Sequence, residues 1–268
     1  MTLTVGSAAH RILAHRHEGT VIAAFSKAVY LDFDDAVVAL VVPGVAAGPL
    51  HVQVSWLPDA SGGMPAHSGV DGLRVGATAV PVPDEVWSPP ELDDVRGALP
   101  LLRRLVSHRP VLDITSGDGV DVTRSLDPFL AQGDTAGACR TLFGRGGGLT
   151  PAGDDVAAGV LLIAALDDPS RLLELRAIAD TAPTHTISRA FLRAAASGEC
   201  IEPVHSLLKA CIDDEIDNAT GHLERVRGVG HTSGLDLVAG VLAALTGLSV
   251  REARLSRETS SIHVQSRP

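Results

Sequence analysis

The 268-residue sequence predicts an α+β fold, with a β-rich region over residues 1–88 followed by a mainly helical region over residues 89–255. Up to about residue 85, short runs rich in Val, Leu and aromatic residues alternate with Gly, Pro and Asp, which is typical of strands and turns. After Ser88-Pro89-Pro90, apolar residues recur at helical spacing. Residues 256–268 are polar and are predicted to form a flexible tail.

Five strands are predicted in the first region, and together they would form a small sheet or an open barrel. They cover residues 20–25, 28–33, 36–42, 50–55 and 73–82. The first helix is predicted from the spacing of Leu92, Val95, Leu99, Leu102 and Val106. Further helices are predicted over residues 126–143, 154–166, 170–180, 187–197, 202–212, 216–226 and 235–245.

Composition narrows the class of protein. A net charge of -10 argues against broad nucleic-acid binding, which needs a basic surface, although a helix N-terminus could still hold an anionic substrate. The three cysteines, Cys139, Cys200 and Cys211, form no Cys-x-x-Cys motif, so neither a disulfide framework nor a cysteine zinc site is expected. No signal peptide is recognisable, and the apolar run 156–166 is too short to cross a bilayer. We therefore expect a cytoplasmic protein without membrane attachment.

The segment 144–155 carries the strongest functional signal. Four glycines in five residues leave backbone N–H groups accessible, and Thr150-Pro151 predicts a helix start with a hydroxyl cap. A glycine turn that leads into a helix N-terminus is a ready anion site. The predicted anion-binding residues here are Gly146, Gly147, Gly148, Thr150 and Gly153. The alternative is a flexible linker before an ordinary capped helix.

A second segment, 230–236, repeats this pattern. Asp155-x-x-Ala-Gly-Val-Leu in the first helix corresponds to Asp236-x-x-Ala-Gly-Val-Leu in the second. We expect the two helix starts to face one ligand from two sides, which adds Thr232, Ser233 and Gly234 to the predicted binding residues. The alternative is two Ala-rich helices that share only composition.

Four side chains are the candidates for catalysis: Asp154, Asp155, His231 and Asp236. Each aspartate could simply stabilise a helix dipole, by about 0.3–1 kcal/mol. Two adjacent carboxylates would repel a bound anion, unless Mg²⁺ held by Asp154 and Asp155 bridged to it or a carboxylate accepted hydrogen bonds from a substrate NH₂. Asp155 is the better candidate because it corresponds to Asp236. His231 is either a general acid or base, or a structural hydrogen-bonding residue.

These two motifs resemble the oxamate carbamoyltransferase subunit AllH family. The residues that carry the resemblance are Gly146-Gly147-Gly148-Leu149-Thr150-Pro151-Ala152-Gly153-Asp154-Asp155 with Gly159, and Gly230-His231-Thr232-Ser233-Gly234-x-Asp236 with Gly240. The resemblance implies transfer of a carbamoyl group from oxalurate to phosphate, which gives oxamate and carbamoyl phosphate during ureide and purine catabolism. It also implies companion subunits.

One stretch departs from the family pattern. Residues 183–188 read Pro-Thr-His-Thr-Ile-Ser where relatives tend to show Arg-Thr-Thr-x-Ile-Ser, so a different substrate stays open. Two other classes also stay open: a non-catalytic subunit that binds an anion or acts as a scaffold, and a metal-assisted hydrolase that uses Asp154 and Asp155.

Overall fold

The computed structural model of the protein describes residues 2–15, 17–69, 72–107 and 124–265. It confirms the predicted α+β class: a curled nine-stranded sheet forms a half-barrel, and a helical region follows it. The division of the chain between residues 88 and 89 into two domains stays a prediction.

The sheet has the strand order β8-β7-β6-β2-β3-β4-β5-β1-β9. The strands are β1 (Val5–Gly6), β2 (His17–Ala24), β3 (Ala28–Phe33), β4 (Ala36–Val41), β5 (His51–Gln53), β6 (Pro65–Gly69), β7 (Gly72–Val75), β8 (Thr78–Val80) and β9 (Val86–Trp87). Neighbouring strands are antiparallel except for β4 with β5 and β1 with β9. Leu31, Phe33, Leu40 and Leu73 are among the side chains that fill the concave core.

Several features of the sheet region differ from the sequence-based prediction. The single strand predicted over 73–82 is a hairpin of β7 and β8, because the chain reverses at Gly76, where φ is +56°. A short helix, α1 (Ser7–Leu13), follows β1 directly and carries no clear helical period of its own. Strands β1, β6 and β9 also lie outside the predicted set.

Nine further α-helices follow the sheet in the described part of the chain. They are α2 (Leu99–Ser107), α3 (Asp127–Leu130), α4 (Thr135–Arg140), α5 (Ala152–Asp167), α6 (Leu172–Asp180), α7 (Thr186–Ala195), α8 (Glu202–Ile212), α9 (Ile216–Arg227) and α10 (Ser233–Gln265). The helix predicted over 126–143 is broken, because Gly133 has a φ of +77° and Asp134 caps α4 by accepting a hydrogen bond from the Gly137 N–H at 2.7 Å.

Helix α5 is the centre of the helical region. Every residue from 156 to 163 is buried, and α10 is its most extensive neighbour. A helix that is apolar on all sides needs such complete enclosure. The first half of α10 belongs to the same core, whereas residues 249–258 are exposed.

Helix α10 continues to Gln265 and so extends well past the end predicted at residue 245. Residues 256–265 are therefore helical rather than irregular, and the flexibility predicted for 256–268 stays a prediction. By length and composition alone, the stretch Ser233–Glu258 would suffice to cross a membrane; 61% of its most apolar window is buried within the protein. Burial of this kind is typical of a helix that packs in the protein core.

Helix α7 joins the helices to the sheet. Its Ala190 packs against Val37 of β4, and its Arg193 donates a 2.9 Å hydrogen bond to the carbonyl of Asp35. Asp34 and Asp35 form the two-residue turn between β3 and β4, with φ values of 54° and 69° that suit a tight hairpin. The hairpin therefore fixes the position of α7 relative to the sheet.

Candidate functional site

Asp154 is the buried anchor of the glycine turn. Its side chain is 1% exposed, and one carboxylate oxygen accepts a hydrogen bond from the Gly144 N–H at 2.8 Å. The other oxygen accepts hydrogen bonds from the Ser188 hydroxyl at 2.7 Å and from the Thr184 hydroxyl. One carboxylate thus ties together the turn, the start of α5 and the start of α7. Because both oxygens are engaged, this geometry favours a structural role for Asp154 over the predicted catalytic or Mg²⁺-binding role.

The glycine turn folds back onto the first residues of α5. The Gly153 N–H donates to the Arg145 carbonyl at 2.9 Å, and a Cβ at residue 153 would lie 2.2 Å from the Leu142 carbonyl oxygen. Only glycine fits so close to the backbone. The predicted hydroxyl cap is wrong: Pro151 is the N-cap of α5, no side chain caps the helix, and the Thr150 hydroxyl instead lies 3.4 Å from the Ser233 hydroxyl.

The tip of this turn is accessible to a ligand. Gly146, Gly147 and Gly148 are exposed, and no acceptor in the described part of the chain takes a hydrogen bond from their N–H groups. The first helical N–H groups of α5 are less available, because those of Asp154 and Asp155 already bond to the Pro151 carbonyl. An anion would therefore meet the turn before it meets the helix end.

The start of α10 has the same construction. The Gly234 N–H donates to the Val229 carbonyl at 3.2 Å, and a Cβ at residue 234 would lie 1.9 Å from the Val226 carbonyl oxygen. In both helices, glycine is the second residue and aspartate the fourth. The correspondence noticed in the sequence is therefore also a correspondence of local structure.

A close crossing of α5 and α10 brings the two helix starts together. A Cβ at Gly240 would lie 1.9 Å from the Val156 carbonyl oxygen, and a Cβ at Gly159 would lie 2.2 Å from the Leu237 carbonyl oxygen. Each glycine comes one helical turn after its aspartate, so the crossing sets Asp155 and Asp236 near each other. The predicted convergence of the two segments is confirmed, while ligand binding between them stays a prediction.

Asp155 and Asp236 differ from Asp154 because neither is fully satisfied. The Oδ2 atom of each is buried and has no hydrogen-bond partner. The Ser233 hydroxyl lies beside Asp155 and the Thr232 hydroxyl beside Asp236, and each hydroxyl lowers the pKa of its neighbouring carboxyl.

The electrostatics of this pair follow from burial without a compensating cation. Burial raises the pKa of Asp155 to about 8; the Ser233 hydroxyl opposes the rise, and the charges of Asp236 and Asp154 add to it. Burial likewise raises the pKa of Asp236, against a lowering by the Thr232 hydroxyl. No Lys or Arg of the described residues offsets either shift. The site therefore favours a proton, or another source of hydrogen-bond donors, on these carboxylates.

His231 and Thr232 are exposed at the turn before α10, so both are accessible from solvent. The acid–base role of His231 stays a prediction. Among the described residues, no group of three or more His, Cys, Asp or Glu side chains could hold a metal ion. A Mg²⁺ ion at this site would rely on Asp155 and Asp236 rather than on Asp154 and Asp155.

The sequence argument missed three polar side chains around the site. Thr184 and Ser188 were part of a noted stretch, but their bonds to Asp154 had no local signal. His205 is fully buried; its Nε2 accepts a hydrogen bond from the Cys200 N–H at 3.0 Å, and burial lowers its pKa to about 4. A single histidine within an apolar helix gives no pattern from which this could be predicted.

Residues 142–245 match the family model described as oxamate carbamoyltransferase subunit AllH, which confirms the resemblance predicted from the two motifs. The matched segment begins just before the glycine turn and ends within the buried half of α10, so it contains both helix starts and their crossing. Neither the curated proteins nor the solved structures contain a match. The family name indicates a subunit of a carbamoyltransferase.

Proposed function

We propose that this chain is a cytoplasmic subunit of a carbamoyltransferase that moves the carbamoyl group of a ureide, such as oxalurate, to phosphate. The products would be oxamate and carbamoyl phosphate, as part of ureide and purine catabolism. The family match supports a carbamoyltransferase subunit that works with companion subunits.

One observation carries the proposal. Within the matched segment, two helix starts of the same construction converge, and each contributes an aspartate with one buried, unsatisfied oxygen. Buried polar atoms without a partner are rare in folded proteins, and they cluster where a ligand completes the site. The glycine N–H groups at 146–148 supply donors for an anionic group next to these aspartates.

In this reaction, the backbone N–H groups and His231 would have separate roles. A phosphate oxygen attacks the carbamoyl carbon, the bond from that carbon to the oxamate nitrogen breaks, and the leaving nitrogen takes up a proton. Backbone N–H donors stabilise the oxyanion that forms on the carbamoyl oxygen. His231, exposed at the edge of the site, is our candidate for the proton donor.

The test is reconstitution with the companion subunits, oxalurate and phosphate, with carbamoyl phosphate as the measured product. We expect phosphate-dependent product formation, and a fall of roughly a hundredfold or more in rate for His231→Gln. His222→Gln is the matched control, since His222 lies in α9 away from the turn.

Two other outcomes would replace the proposal. If ligand binds but no product forms with all partners present, the chain is a binding or scaffolding subunit. If a carbamoyl compound is hydrolysed without phosphate and a chelator abolishes the activity, the chain is a metal-assisted hydrolase.

A further inference from the structure

Two buried carboxylate oxygens at the crossing of α5 and α10 have no partner in the protein. Asp236 is only 4% exposed, and its Oδ2 accepts no hydrogen bond; the same holds for Oδ2 of Asp155. The nearby hydroxyls of Ser233 and Thr232 lower the pKa of Asp155 and Asp236, respectively, yet both Oδ2 atoms still lack a hydrogen-bond partner.

The neighbouring carboxylate of Asp154 shows that the lack of hydrogen-bond donors is specific to Asp155 and Asp236. Asp154 directly precedes Asp155, is buried at least as deeply, and accepts three hydrogen bonds. The fold thus provides hydrogen-bond donors for both oxygens of Asp154 but none for Oδ2 of Asp155. A buried acceptor that lacks its donor is destabilising, and a bound group that carries N–H donors would remove this cost.

We propose that the free oxygens of Asp155 and Asp236 bind the NH₂ group of a terminal carbamoyl or carboxamide substrate, with one N–H directed to each carboxylate. This rests on the proposed function, and it names the part of the substrate that this pair recognises. An NH₂ group carries two donors on one nitrogen, which matches two single acceptors contributed by two helices.

The geometry favours this group over a bare cation. Both aspartates lie in the first turn of their helices, where the positive ends of the helix dipoles oppose a second positive charge. The third carboxylate within reach, Asp154, has both oxygens engaged and cannot complete a metal coordination shell. A neutral NH₂ group avoids both difficulties.

The experiment compares three small acids that differ at one position. Oxamate carries NH₂, pyruvate carries CH₃ of similar size, and oxalate carries a second carboxylate oxygen. Calorimetric titration uses the complex of this chain with its companion subunits, as wild type, Asp155→Asn, Asp236→Asn and the control Asp217→Asn. Asp217 is an exposed aspartate in the first turn of α9, so the control makes the same substitution near another helix start.

We expect wild type and Asp217→Asn to bind oxamate roughly ten- to a hundredfold more tightly than pyruvate or oxalate. Asp155→Asn and Asp236→Asn should reduce that preference towards onefold. The wild-type comparison stands even if a variant fails to fold, because it needs no substitution.

Equal binding of oxamate and pyruvate by wild type would overturn the inference, as would absence of binding by all three acids. So would a thermal shift by Mg²⁺ alone that is lost in Asp155→Asn and Asp236→Asn, because the pair would then be a metal site. These failures are separable from failure of the proposed function: a complex that forms carbamoyl phosphate yet does not discriminate oxamate from pyruvate keeps the function and loses this subsite.

Discussion

Two adjacent aspartates at the start of α5 should respond in opposite directions to the same substitution. Asp155→Asn should stabilise the protein near neutral pH, whereas Asp154→Asn should destabilise it. The reason is that Asp155 has a buried, unsatisfied oxygen, while Asp154 accepts three hydrogen bonds. The two variants are matched controls for each other, since they differ only in position along one helical turn.

The size of the Asp155 effect follows from its pKa, which rises from 3.8 to about 8 on folding. The folded state therefore keeps a proton that the unfolded chain releases, and stability is fully present below the unfolded value and is lost as pH rises towards the folded one. At pH 7 this difference destabilises the fold by at most about 4 kcal/mol, which asparagine removes because it does not titrate.

Asp154→Asn replaces an acceptor oxygen with an NH₂ donor among groups that are themselves donors. Whichever way the amide is turned, either the Gly144 N–H or the Thr184 and Ser188 hydroxyls lose their acceptor. Loss of these charge-assisted bonds should lower the free energy of unfolding by about 3 kcal/mol.

Urea unfolding of wild type and both variants at pH 4, 5.5, 7 and 8 tests this reasoning. The gain in Asp155→Asn should be near zero at pH 4 and should grow up to pH 8, while its carbamoyl phosphate formation falls far more than stability would explain. If Asp155→Asn is less stable than wild type at pH 7, or if its gain does not change with pH, folding does not raise the pKa of the Asp155 carboxyl.

The remaining predictions concern packing and acid sensitivity. Gly240→Ala should cost about 3 kcal/mol by forcing α10 away from the Val156 carbonyl, measured by thermal and urea unfolding. Gly221→Ala, at an open position of α9, should instead stabilise by about 0.5–1 kcal/mol; equal effects would refute the close crossing. His205 should make stability fall as pH drops from 6.5 towards about 4, by about 2 kcal/mol at pH 5, and His205→Gln should lack this loss.

The helix limits that could be predicted are those set by local chemistry. Helix α8 was predicted over 202–212 and is observed at Glu202–Ile212, because Pro203 suits a first turn and Asp214 takes a φ of 55° just after the end. The end of α10 was missed because Gly247 looks like a helix stop. In the structure that glycine lets α10 approach Leu130, where a Cβ would lie 2.5 Å from the leucine side chain, so its role is packing.

The convergence of the helix starts could be predicted because both aspartates have glycines at the same spacing before and after them, and each glycine meets a structural requirement. The glycine before each aspartate lets a backbone carbonyl of the preceding segment approach, and the glycine after it lets the two helices cross. The different fates of Asp154 and Asp155 could not be predicted, because they depend on hydroxyls 30 and 34 residues further along the chain. The local sequence does not show which of two neighbouring carboxylates will accept hydrogen bonds from residues of a distant helix.

That difference is the strongest physical reason to look for function at Asp155 and Asp236. A fold that can surround Asp154 with three donors is able to satisfy a buried carboxylate, so the unsatisfied pair beside it is not a general failure of packing. Asparagine or an apolar residue at either position would remove the free-energy cost of the unsatisfied carboxylate, at no evident structural cost. Two such aspartates, at equivalent positions of two crossing helices, are the arrangement expected when a ligand supplies the missing donors.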